Sequence, residues 1–133
     1  MDDKNRKRIQ LKLSGAEGIS YQAYPLTFGV PFKDGDLKKE TTVRVVDESG
    51  ETLPIQTQCL TTWNSDQAFI KWLLVDLQAD LPKNKERMLF LEYPAEEGKT
   101  QEPGIRVEET TSYICVDTGV MRIYFRNRFE AWQ

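Results

Sequence analysis

Ala68 to Leu77 reads AFIKWLLVDL, and the assignment of this run decides the fold. As a strand it is apolar on both faces. Period-two alternation sends Phe69, Leu73, Val75 and Leu77 one way and Ile70, Trp72 and Leu74 the other. The run also fits a helical stripe through Ile70, Leu73, Leu74, Leu77 and Leu81, with Asp66 placed as a cap. Its aromatic content, and the strands predicted around it, favour a long central strand. A strand apolar on both faces needs cover on both. In a small barrel only one face lies inside. The outer face, with Ile70, Trp72 and Leu74, is therefore expected to pack against polypeptide outside the barrel.

The surrounding sequence is cut into short β-type runs. Ile9, Leu11 and Leu13 alternate with Gln10 and Lys12, and Gly15 to Gly18 ends that strand. Ser20 to Phe28 is rich in tyrosine and apolar residues, and Gly29, Pro31 and the Lys33-Asp34-Gly35-Asp36 turn are expected to break it. Thr41 to Val46 is β-branched and runs into an Asp47-Glu48-Ser49-Gly50 turn. Leu53, Ile55, Thr57 and Cys59 alternate, with Pro54 marking a strand start or an edge. Arg87 to Tyr93 alternates about Leu89, Leu91 and Tyr93. The pattern predicts an all-β barrel or sandwich over residues 7–95.

Residues 96–109 read as an acidic linker containing Pro and Gly, and a domain boundary is expected there. Thr110 to Asp117 and Val120 to Arg126 then read as two strands around Thr118-Gly119. The final Phe129 and Trp132 have no following element to pack against. Residues 110–133 are accordingly expected to be the incomplete start of a following β domain, and the chain the amino-terminal part of a longer one.

Composition excludes several function classes. There is no histidine, which removes Ser-His-Asp chemistry, His-activated cysteine nucleophiles and most zinc sites. Eighteen basic residues against 21 acidic ones give a net charge of −3, a poor match to nucleic acid. No glycine-rich phosphate loop occurs, and neither cofactor nor metal is expected. Cys59 and Cys115 have no CxxC spacing and read as buried free thiols. The start, MDDKNRKRIQ, lacks an apolar signal core, and no apolar run is long enough to span a bilayer. A cytoplasmic protein is expected if Met1 is its natural start. Lys4, Arg6, Lys7 and Arg8 read as a solvated tail.

No catalytic residue is nominated. The carboxylate pairs Asp76 with Asp80, and Glu96 with Glu97, read as solvated surface. Lys71 reads as an amphipathic side chain reaching water. The aromatics offer a binding signal. Trp63, Trp72, Tyr21 and Tyr24 could form a platform on which sugar rings stack. Of these, Trp63, beside the polar Asn64-Ser65-Asp66, is the most open to a surface role.

Read in order, PLTFGVPFKDG (Pro25 to Gly35), VVDESGETLPIQTQ (Val45 to Gln58) and the Trp63-to-Trp72 segment running into WLLVDL resemble one family. It is that of the exo-acting rhamnogalacturonan lyases and their YetA-like relatives, and the matching part is their amino-terminal RIFT-type β-barrel. Gly29-Val30-Pro31-Phe32, Pro54-Ile55-Gln56 and Lys71-Trp72 match its motifs. Asp66-Gln67-Ala68 stands where the family usually has Asp-Gly-Ser. Val116-Asp117-Thr118-Gly119, running to Phe125, looks like the start of the family's next domain. The resemblance implies a barrel followed by a β-sandwich and an α/α toroid, in proteins implicated in β-elimination on pectin. It implies that this chain is a non-catalytic, mainly architectural part, whose partners are the downstream domains of its own chain. A pectic oligosaccharide is a further implied partner, with Trp63 and Asp66 as candidate substrate contacts. An autonomous carbohydrate-binding module, or an assembly domain unrelated to sugars, are the alternative readings.

Overall fold

A computed structural model describes residues 5–95 and 104–126. Among the described residues there are ten strands: β1 (Lys7–Ser14), β2 (Tyr21–Pro31), β3 (Arg44–Asp47), β4 (Thr52–Leu53), β5 (Ile55–Thr62), β6 (Ile70–Leu81), β7 (Glu86–Tyr93), β8 (Arg106–Glu109), β9 (Tyr113–Asp117) and β10 (Arg122–Arg126). The chain divides into two compact units, Met1–Thr100 and Gln101–Gln133. The all-β expectation is correct, and the helical alternative for AFIKWLLVDL is not.

In the first unit, two antiparallel sheets of order β1-β7-β3-β4 and β2-β6-β5 enclose one core. Strand β6 supplies Leu73, Val75, Leu77 and Ala79 to it, and β7 supplies Leu89, Leu91 and Tyr93. Burial of each large aliphatic side chain among these stabilises the barrel by about 1.5–3 kcal/mol. Pro54 stands between β4, which pairs with β3, and β5, which pairs with β6. Lacking an N–H, it interrupts the ladder where the chain leaves one sheet for the other.

The alternation of β6 fails at one place, and this corrects the expected outer face. Its partner register runs Cys59↔Leu73, Thr61↔Trp72 and Thr62↔Ile70, so β5 carries an extra residue at Leu60 and β6 one at Lys71. A bulge puts two successive side chains on one side and inverts the phase beyond it. Ile70 therefore joins Leu73 in the core at 3% exposure, rather than facing outward with Trp72 and Leu74.

Strand β2 also runs further than its glycine and proline predict. It continues through Gly29 to Pro31, as an edge strand that tolerates proline at its end. Gly29 is needed for packing. A Cβ there would lie 3.2 Å from Cε3 of Trp72, which occupies the space. Near the start of β2, Gln22 and Ala23 form a second bulge, with Ala23 at φ 44°. Its N–H donates to the Asp80 carboxylate at 2.6 Å.

The basic run at the amino terminus is not a solvated tail. Arg8 on β1, Glu92 on β7 and Arg44 on β3 stand directly opposite one another across three strands. Glu92 is 2% exposed and accepts from Arg8 Nε and Nη2 at 2.9 and 2.6 Å. It accepts also from Arg44 Nε at 2.8 Å. Lys7 pairs with Asp36. Lys4 lies outside the described residues.

In the second unit β8, β9 and β10 form an antiparallel sheet of order β10-β9-β8. Strand β8 occupies the end of the segment read as linker. Arg106–Glu109 has one apolar residue, which hides it in a composition reading, but charged residues suit an edge strand. Gly119, at φ 85°, closes the β9–β10 turn, and its N–H donates to Asp117 at 2.8 Å. The register puts Val107, Ile114, Val116, Ile123 and Phe125 on one face, and Val107, Ile123 and Phe125 are exposed. Both cysteines are free thiols. Cys115 is buried as expected, whereas Cys59 is only half-buried. Glu96, Glu97, Phe129 and Trp132 lie outside the described residues.

Candidate functional site

The residues singled out in the sequence gather mainly at one end of the β2-β6-β5 sheet. Trp63 follows β5 directly. Its backbone N–H donates to the Phe69 carbonyl at 3.0 Å, closing the loop that leads into β6. Its indole Nε1–H donates to the Phe32 carbonyl at 2.9 Å, and the Lys71 ammonium stands 4.6 Å from the ring centroid. The Lys71 bulge aims that cation at the ring, so Lys71 is held by Trp63 rather than simply reaching solvent. Trp63 remains 39% exposed.

Asp66 has a different task. Its carboxylate accepts from the Ala68 N–H at 3.1 Å, while Gln67 sits at φ 56° and donates its N–H to the Asn64 carbonyl. Asp66 is thus engaged in turning its own loop.

Trp72 lies against Gly29 of β2 and is 40% exposed. Leu74 is half-buried and pairs with Gly29 on one side and Gln58 on the other. Leu60, exposed by the bulge in β5, is opposite the same stretch. The outer face turns polar beyond them, at Asp76 and Gln78. Asp76 accepts a hydrogen bond from the Thr27 hydroxyl. The apolar patch therefore covers one end of the sheet and not its whole outer face.

The four-aromatic platform does not assemble. Tyr21 pairs with Leu81, Tyr24 with Ala79 and Pro31 with Trp72, which separates the tyrosines from Trp72 by about 23–30 Å along β6. Tyr21 and Tyr24 instead pack edge to face on each other, 4.8 Å between centroids.

Sequence reasoning missed a cleft of about 410 Å³ beside the inner side of β5 and β6. Ile55, Ile70 and Leu73 are among its apolar lining, with Thr41, Thr57 and Lys39 supplying polar groups. Nothing in the local sequence marks it, because residues 37–43 meet β5 only through the fold. It offers hydroxyls and one ammonium but no carboxylate, a set suited to binding a neutral or anionic group. Nearer β1 and β7, the Tyr93 hydroxyl donates to Asp36 at 2.8 Å. Burial, reinforced by Asp36, pushes the Tyr93 phenol far above its ordinary pKa, so it is a donor and not a base. Among the described residues no group of His, Cys, Asp and Glu side chains is placed to hold a metal ion.

The family described as "PcRGLX-like N-terminal RIFT barrel domain" matches residues 9–88. No curated protein matches the chain. The matched span runs from β1 into β7 and includes the Trp63 loop, the bulged β6 and Trp72.

Proposed function

The chain belongs to the PcRGLX-like N-terminal RIFT barrel domain family, and from that premise we propose that it is the non-catalytic amino-terminal β domain of a rhamnogalacturonan lyase-like, pectin-degrading protein. Its work is architectural. The barrel presents the patch formed by Trp72, Leu74 and Leu60 to downstream domains of its own chain, and residues 106–126 begin the next β domain.

The observation that carries this reading is the outward placement of Trp72. A large aromatic seated on a glycine, half-exposed beside two further apolar side chains, suits a surface that other polypeptide covers. The apolar face of β8 to β10 supports the same role for the second unit. A catalytic role for the barrel finds little support. Asp66 is engaged in its own turn, Tyr93 is held protonated, and the cleft at β5 and β6 brings no acid to its Lys39.

A second reading, a sugar-binding module, is favoured by the half-exposed Trp63 ring beside Lys71. Titration of the chain with rhamnogalacturonan oligosaccharides, followed by tryptophan fluorescence, separates the two. The architectural role predicts no saturable change that depends on Trp63. A saturable change abolished by Trp63→Ala would replace it with the binding module.

A further inference from the structure

Strand β5 leaves the barrel open along one side, and the architectural role makes no use of the opening. Thr57 pairs with Val75 and Cys59 with Leu73, both core residues. Directly opposed residues of an antiparallel pair share a face, so Thr57 and Cys59 stand on the inner side of the sheet. Thr57 is nevertheless exposed and Cys59 only half-buried. The cause is the sheet order. Strand β5 pairs with β6 alone, and no strand among the described residues closes the space between it and residues 37–43. The cleft of about 410 Å³ occupies that space. Its far wall is pinned at both ends: the Lys39 N–H donates to the Ala68 carbonyl at 3.0 Å, and the Thr42 carbonyl accepts from the Ala95 N–H at 2.8 Å. The cleft is thus preformed, and its size is that of a small-molecule site.

Its lining is divided by chemistry. Leu37, Ile55, Ile70 and Leu73 give an aliphatic floor with no aromatic ring. Thr41, Thr42 and Thr57 bring hydroxyls that have no hydrogen-bond partner among the described residues. Lys39 is the one charged side chain in the lining. Its ammonium donates to Gln67 Oε1 at 3.3 Å, a neutral oxygen, and no carboxylate among the described residues pairs with it.

We propose that this cleft binds a small amphipathic monoanion, a carboxylate carried on a short aliphatic chain. The chain lies on Ile55, Ile70 and Leu73, and the carboxylate meets the Lys39 ammonium and the threonine hydroxyls. The lining sets the selectivity. An aliphatic chain gains wherever contact with the floor removes it from water. A sugar ring finds no aromatic face to stack on. A cation of the same length meets a like charge at Lys39.

The test is NMR titration of the full chain with hexanoate and, separately, with hexanol, hexylamine and acetate at matched ionic strength. The amides of Thr57, Cys59 and Ile70 and the methyl signals of Ile55 are followed. Saturable shifts with hexanoate, at a Kd on the order of 1 mM, are expected for so small a ligand. Hexanol is expected to bind several-fold more weakly, and acetate and hexylamine to give no saturable shift in that range. Lys39→Gln changes an exposed side chain and leaves the floor intact. It is expected to weaken hexanoate about threefold and to leave hexanol unchanged. Thr57→Phe fills the inner side of the cleft and is expected to abolish the binding of both. Should that variant fail to fold, Lys39→Gln decides alone. The proposal is overturned by the absence of saturable shifts with hexanoate, by equal affinity for hexanol or hexylamine, or by wild-type hexanoate affinity in Lys39→Gln. Unchanged hexanoate binding in a folded Thr57→Phe overturns it too. So do shifts of the same signals with protein concentration alone, which would give the cleft to a second copy of this chain.

Discussion

The indole N–H of Trp63 donates to the backbone carbonyl of Phe32 at 2.9 Å, tying the loop after β5 to the chain leaving β2. Strands β2 and β5 flank β6 without touching each other in the sheet order. This bond therefore bridges the two edges beyond the end of their central strand. Trp63→Phe keeps a ring for Lys71 but removes the donor, leaving a carbonyl unpaired. A loss of about 1–2 kcal/mol in urea unfolding is expected. A stability unchanged from wild type would show that water replaces the indole without cost.

The bulge at Lys71 makes Ile70 and Leu74 unequal. Ile70→Ala opens a hole in the core and should cost about 3 kcal/mol. Leu74→Ala trims a half-buried side chain and should cost about 1 kcal/mol or less. Equal losses in a denaturant series would contradict the phase inversion.

Gly29 and Trp72 are coupled by space. A Cβ at residue 29 meets Cε3 at 3.2 Å, so Gly29→Ala requires a small displacement of the ring and Gly29→Val a larger one. The indole N–H resonance of Trp72 should move in both variants, further in the valine. An unmoved resonance would mean that the ring does not rest on β2.

Glu92 gives the barrel an acid limit. Burial alone would raise its carboxyl pKa, but the hydrogen bonds from Arg8 and Arg44 outweigh that and hold it below the usual carboxylate range. A folded value below the unfolded one contributes stability that is present above about pH 4. That contribution is lost as pH falls through the folded value. Glu92→Gln is expected to lower stability at neutral pH by about 2 kcal/mol and to flatten this part of the acid slope. Asp36, lowered chiefly by its hydrogen bond from Lys7, leaves a residual slope. An acid profile identical to wild type would exclude Glu92 as its source.

Much of the barrel was legible because its strands alternate cleanly. Leu89 and Leu91, or Val75 and Leu77, announce an inner face whatever their partners are. What could not be read depends on partners. The inward turn of Ile70 is set by unequal residue counts on β5 and β6, which no single strand reveals. Arg8 reads as part of a solvated tail, and nothing in the local sequence marks Arg44, because Glu92, their common counterion, is 84 and 48 residues away. Strand β8 was hidden by its charges. Asp66 attracted notice by its place beside Trp63, yet its carboxylate is occupied two residues on, at Ala68.

The proposed architectural role is tested most directly by side-chain oxidation footprinting of Trp72 and Leu74, comparing this 133-residue chain with the longer, multidomain parent that the proposal requires. The account predicts that both side chains react readily in the chain alone and are protected several-fold in the parent. Equal reactivity of Trp72 in the two would contradict it, since the patch would then remain open to water with every domain in place.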